Sequence, residues 1–127
     1  MFIVLLILVH VNSLFSQSCY LKIDGAYFKQ TGMYLNLKNT NFINNGGIVE
    51  FSSGSNVKLT GELDQIIGGN NVTIFANLKI DKDQGSKVIL TQNIGIKDTL
   101  QMINGYLDIK DKTVDFDTSG ILIGETE

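Results

Sequence analysis

The 127-residue chain contains no proline, no tryptophan and no arginine, and it has one cysteine, Cys19, and one histidine, His10. Without arginine, and with a formal net charge of −3, it lacks both the guanidinium fork that grips phosphate and the positive excess that nucleic-acid binding requires. Nucleic acid is therefore excluded as a partner. The lone histidine lies in the first 18 residues. That leaves nothing downstream for histidine-based acid–base work, Ser-His or Cys-His nucleophile pairs, or histidine-containing zinc sites. A single cysteine forms no intramolecular disulfide, so an exported form of the chain must draw its stability from packing. The absence of proline fits a backbone in which nearly every N–H is needed for a strand ladder. Beyond residue 18 no segment keeps the i, i+3, i+4, i+7 apolar stripe of a surface helix.

What the chain does contain is a repeat. Apolar-x-apolar doublets recur as Val72/Ile74, Leu78/Ile80, Val88/Leu90, Ile94/Ile96, Leu100/Met102, Leu107/Ile109, Val114/Phe116 and Ile121/Ile123. Residues i and i+2 point to the same face of a strand, so each doublet reads as one half-buried strand. The steps between them, 6, 10, 6, 6, 7, 7 and 7, are too short for a strand, a loop and an antiparallel return. Three doublets make one circuit, because Leu35, Val57, Leu78, Leu100 and Ile121 lie 22, 21, 22 and 21 residues apart. Such a period marks a solenoid. The expected fold is an all-β parallel β-solenoid, or β-helix, of 21–22 residues per coil in four to five coils, each adding about 4.8 Å. The alternative is an antiparallel β-sandwich, whose strands alternate in the same way and whose hairpins would suit the Asn-Gly pairs at Asn45 and Asn104.

Residues 1–18 read as a signal peptide, with Ser16 and Ser18 preceding a cut before Cys19, and place the chain outside the cell or on its surface. A short membrane anchor is the rival reading, because no Lys or Arg precedes the apolar run. Cys19 would be the first mature residue. It reads as an unpaired thiol or a lipidation site, although Ser16 stands where lipidated cysteines prefer a bulky apolar residue. Residues 19–32, with Leu21/Ile23 and the aromatic pair Tyr27 and Phe28, are expected to cap the N-terminal end, and residues 33–127 to form the repeats. Leu35/Leu37, Phe42, Val49/Phe51, Val57/Leu59 and Leu63 carry the earlier register. The full-strength repeats Val114/Phe116 and Ile121/Ile123 so near the last residue give the expectation of an N-terminal portion of a longer protein.

No residue is singled out as catalytic, cofactor-binding or metal-binding. Asp81/Asp83, Asp108/Asp111 and Asp115/Asp117 are the acidic pairs that calcium or a two-carboxylate glycosidase could use, and a solvated strand face explains them as well. Tyr20, Tyr27, Tyr34 and Tyr106 could stack on sugar rings, Asn71-Val72-Thr73 is a glycosylation sequon, and Thr60, Thr73, Thr91, Thr99 and Thr113 do not keep the period an ice-binding face needs. Gly46-Gly47 and Gly68-Gly69 read as corners rather than phosphate loops.

The run Asn71-Val72-Thr73-Ile74-Phe75-Ala76-Asn77-Leu78-Lys79-Ile80, followed by Val88-Ile89-Leu90, Ile94-Gly95-Ile96-Lys97-Asp98-Thr99-Leu100 and Asn104-Gly105-Tyr106-Leu107-Asp108-Ile109, resembles the repeat region of large surface proteins exported by the Bacteroidetes type IX secretion system. Phe15-Ser16-Gln17 is similar to the end of their signals. The chain departs from that pattern where Lys97-Asp98-Thr99-Leu100 lacks a glycine and in carrying no C-terminal sorting domain. The resemblance implies a secreted or cell-surface, adhesin-like, non-enzymatic stalk without cofactors. Its partners would be downstream domains of the same or a neighbouring reading frame, surface polysaccharide, or another copy of itself. A carbohydrate-binding or carbohydrate-active β-helix is the alternative.

Overall fold

Strands this short, separated by corners rich in Gly, Asn and Ser, can bury their inward face only by stacking on a neighbouring coil. The computed structural model describes residues 18–83 and 85–124, and among these are thirteen strands and no helix. The proposed signal peptide falls outside the described residues except for Ser18.

The first coil comprises Cys19–Asp24 (β1), Tyr27–Gln30 (β2) and Tyr34–Lys38 (β3), and the second Thr40–Asn45 (β4), Ile48–Phe51 (β5) and Asn56–Gly61 (β6). The third comprises Gln65–Gly69 (β7) and Thr73–Lys82 (β8), and the fourth Lys87–Leu90 (β9) and Ile94–Asn104 (β10). The fifth comprises Tyr106–Asp108 (β11), Val114–Phe116 (β12) and Ile121–Ile123 (β13). One face stacks β1, β4, β7, β9 and β11 in that order. A second begins with β2 on β5 and continues through Thr73–Phe75, Ile94–Ile96 and β12. The third stacks β3, β6, the later part of β8, the later part of β10, and β13. Thus β8 and β10 each run round a corner without a break.

Among the described residues every ladder is parallel, and the one antiparallel contact is an isolated bridge between Asp24 and Gly46. The chain is a five-coil parallel β-solenoid. Leu35 lies over Val57, Val57 over Leu78 and Leu78 over Leu100, as the period predicts. Residues 19–32 form two sides of the first full coil, with β1 paired to β4 and β2 to β5.

Inside, Leu37, Phe42, Phe51, Val57, Leu59, Leu78, Ile80, Val88, Leu90 and Ile94 are buried and form one continuous core. Each contributes about 1.5–3 kcal/mol by leaving water. Phenylalanine rings interlock across the coils: Phe51 stacks on Phe75 at 5.2 Å between centroids, Phe42 meets Phe75 edge-on at 5.6 Å, and Phe28 meets Phe51 at 6.1 Å.

Three expected inward assignments, two doublets and the single residue Leu63, are corrected. At Val72/Ile74 the inward residues are instead Thr73 and Phe75: Phe75 is 0% exposed and Ile74 47%. Thr73 and Phe75 carry the buried parity because they lie in register under Ile94 and Ile96. Leu63 is exposed in the turn, and Gln65 and Ile67 point inward in its place. At the last coil Leu122, not Ile121, lies over Leu100, a step of 22 residues. In both the first and last cases apolar residues occupy both strand parities, so hydrophobicity alone leaves the facing undecided and ladder register settles it.

Several buried side chains are polar, and they gather where the chain turns. Backbone carbonyls that leave a ladder at a corner need other donors. Gln65 Nε2 donates to the carbonyls of Leu37 (2.8 Å) and Thr40 (2.7 Å), Ser86 Oγ to those of Asp83 (2.9 Å) and Gly61 (3.2 Å), and Asn44 Oδ1 accepts from the Gly47 N–H (3.1 Å).

Candidate functional site

In a parallel ladder, outward side chains of successive coils stand above one another about 4.8 Å apart, so neighbouring charges pair along the rod. Lys58 Nζ lies 2.7 Å from Asp81 Oδ2, Lys87 Nζ 3.0 Å from Asp108 Oδ2, and Lys29 Nζ 3.7 Å from Glu50 Oε2. Neutral groups do the same: Thr60 Oγ1 donates to Asn36 Oδ1 (3.0 Å), Asn104 Nδ2 to Asp81 Oδ1 (2.9 Å), and Tyr27 to Glu50 (2.7 Å). Hydrogen bonds from Lys58 and then Asn104 hold Asp81 below the usual carboxylate range, and Lys87 does the same for Asp108.

This arrangement disperses the acidic residues noted in the sequence. Asp81 and Asp108 are engaged by lysines of the preceding coil, and Asp111 pairs with Lys112. Asp115 stands over Gly95, which stands over Ile74, so no acidic row forms along that face. Among the described residues no group of three or more His, Cys, Asp or Glu side chains converges as a metal site would require. Tyr20, Tyr27 and Tyr34 sit on β1, β2 and β3, one on each face of the first coil. They surround the rod rather than form a row along it. Asn71 is exposed at the sequon, whereas Thr73 points into the core, within hydrogen-bonding distance of Asn44 Nδ2 (3.4 Å).

Two features stand out, of which the first was not anticipated from the sequence. The first is Lys82, 1% exposed, whose ammonium donates to the Thr60 carbonyl (3.0 Å) and to Gln65 Oε1. Burial pushes this amine down from its ordinary range, opposed by the nearby Asp83 and Asp64 carboxylates. The pair is shut off from solvent and ties the second and third coils together at a corner. Its signal was present in the alternation Leu78, Ile80, Lys82, which carries the inward parity one step past the last apolar residue.

The second is the inward face of the fifth coil. A concavity of about 640 Å³ is lined by Leu100, Met102, Leu107, Val114, Phe116 and Leu122. Phe116 and Leu122 are 40% and 39% exposed there, while the residues they cover one coil below are buried. Beside it a more polar hollow of about 610 Å³ runs along the corner at Asp83, Asn104 and Tyr106. Among the described residues, apolar side chains and strand edges with no ladder partner on one side coincide at this end. Comparison with family models, with curated proteins and with solved structures finds no match to this chain.

Proposed function

We propose that the chain is a non-enzymatic structural segment of the cell surface or extracellular space, an adhesin-like spacer exported through residues 1–18, in which the solenoid holds other elements at a fixed separation. The observation that carries this reading is the use of the outward polar groups. On all three faces they pair with groups of the neighbouring coil, and the interior is filled by side chains rather than opened into a cleft. A rod about 20 Å long built this way does its work by stiffness. The resemblance of residues 70–124 to type IX-exported surface repeats supports the same reading, with downstream domains or surface polysaccharide as further partners.

The test is to express the full chain with its own leader in a bacterium that has a type IX system, sequence the N-terminus of the product, and shave intact cells with protease. The reading expects a chain beginning at Cys19 and accessible from outside. An intact Met1 and full protection inside the cell would overturn it.

A further inference from the structure

The two ends of the solenoid present the same kind of surface. Among the described residues, β1, β2 and β3 each have a ladder partner on one side only, and so do β11, β12 and β13. Both sets run in the same direction round the same three-sided outline, so a first coil laid on a fifth coil would continue the stack in parallel. Unpaired edges are templates for such pairing. We propose that the fifth coil of one chain receives the first coil of a second copy, head to tail, as a sixth coil.

The register is specified by both packing and charge. With Leu21 of the second copy over Leu107 of the first, a constant step of 86 residues places Phe28 over Val114, and a step of 87 on the third face places Leu35 over Leu122. All six of these residues, Leu21, Phe28, Leu35, Leu107, Val114 and Leu122, pack against the core or line the concavity with part of their surface still open to solvent. At the same step both lysines of β1 and β2 meet strand carboxylates, Lys22 over Asp108 and Lys29 over Asp115, with Tyr20 over Tyr106, and Asp24 falls opposite Lys110 in the turn that follows β11. The next registers that keep the same side chains inward are two residues away in either direction. One sets Asp24 over Asp108 and Lys29 over the neutral Thr113, and the other sets Lys22 over Lys110 while keeping Asp24 over Lys112 and Lys29 over Asp117. Like charges set directly opposite are unfavourable, and of the three registers only the step of 86 pairs all three charges with their opposites and sets no like charges together. The first coil carries three lysines against one aspartate, and the fifth carries four aspartates against two lysines.

The joint repeats what the molecule does internally, where Lys29–Glu50, Lys58–Asp81 and Lys87–Asp108 already stack lysine and carboxylate between coils. Asp108 would then lie between Lys87 of its own chain and Lys22 of the next. The interface is heterologous and does not close on itself, so repeated use gives an open fibre of solenoids. This deepens the structural reading above but does not depend on export, and the two can fail separately.

The experiment is sedimentation velocity with electron microscopy on the full chain as the expressing cell processes it. Three samples are compared: wild type, K22E/K29E and D108K/D115K, with strand content checked by circular dichroism. Wild type should form rods in multiples of the monomer mass that grow with concentration. Each charge variant alone should associate more than about tenfold more weakly, because both joint pairs become like-charged. An equimolar mixture should recover assembly, since each variant then finds opposite charge at both of its ends. A separate C19S/Y20C/Y106C chain should give a ladder of covalent oligomers on oxidation, because stacked Cα atoms about 4.8 Å apart lie within disulfide reach. A wild-type chain that stays monomeric at every concentration would overturn the proposal. So would folded charge variants whose mixture recovers nothing, or a cysteine pair that yields no ladder. Assembly by a chain that is never exported would leave this proposal standing and remove the export reading.

Discussion

Replacing Gly69 by alanine tests how closely two coils approach. Gly69 ends β7 with φ +114°, directly over Asn44 of the preceding coil. A β-carbon there would overlap the Asn44 carbonyl oxygen and lie 2.5 Å from its carbon and 2.7 Å from the Asn44 nitrogen. These are backbone atoms held in the β1–β4–β7 ladder, and no rotamer change relieves the clash. The same carbonyl accepts hydrogen bonds from the N–H groups of Asn70 (2.9 Å) and Asn71 (3.1 Å). Three costs follow: about 1–2 kcal/mol for the left-handed backbone, about 1–3 kcal/mol for overpacking, and about 1 kcal/mol for loosened hydrogen bonds. Together they predict a loss of about 3–6 kcal/mol. Gly54 is the control, with φ +78° and nothing within 4 Å of the same added carbon, so its alanine variant bears only the first cost. Urea denaturation at constant m-value measures both variants. Equal losses for G69A and G54A would refute the inter-coil contact and the register that creates it.

Further predictions separate the inward from the outward residues and the buried charge from the surface ones. F75A should cost about 3–5 kcal/mol in the same assay, and I74S should stay within about 0.5 kcal/mol, because Phe75 packs on Phe51 and Phe42 while Ile74 faces solvent. Lys82 is pushed down by burial, so between its lowered value and its ordinary 10.5 the unfolded chain binds more protons than the folded one. Stability should therefore rise with pH across that interval, and thermal melts of K82M should lose that rise. Asp81 is held down chiefly by Lys58, so its contribution is present above its ordinary 3.8 and fades as pH falls through the lowered value. Acid denaturation of D81N should show a correspondingly shallower loss over that range.

Coil length and stacking order were legible because they rest on a strong signal, the return of Leu35, Val57, Leu78 and Leu100 at one interval on a face that cannot tolerate polar substitutes. Facing was legible only where one strand parity is apolar and the other polar, as in Asn56–Gly61. It failed at Val72-Thr73-Ile74-Phe75 and Ile121-Leu122-Ile123, where both parities are apolar. There the choice belongs to hydrogen-bond register and, at Phe75, to a ring fitted between Phe42 and Phe51. The burial of Gln65 and the carbonyl that Lys82 reaches were hidden for a different reason. A corner needs donors for carbonyls 22 to 28 residues away, and that demand appears only once the coils are stacked. The open face of the fifth coil was visible in the sequence as unrelieved repeat strength. Its match to the first coil needed the in-and-out assignment of each strand.

The most direct test of the central claim is a set of amide-to-amide nuclear Overhauser contacts between strands, measured on the K22E/K29E variant to keep the protein monomeric. A parallel solenoid predicts contacts that keep a constant difference in residue number along each strand pair, such as Val57 with Leu78 and Leu59 with Ile80. Contacts with a constant sum, in which residue numbers rise on one strand as they fall on its neighbour, would mean antiparallel pairing and would contradict the solenoid.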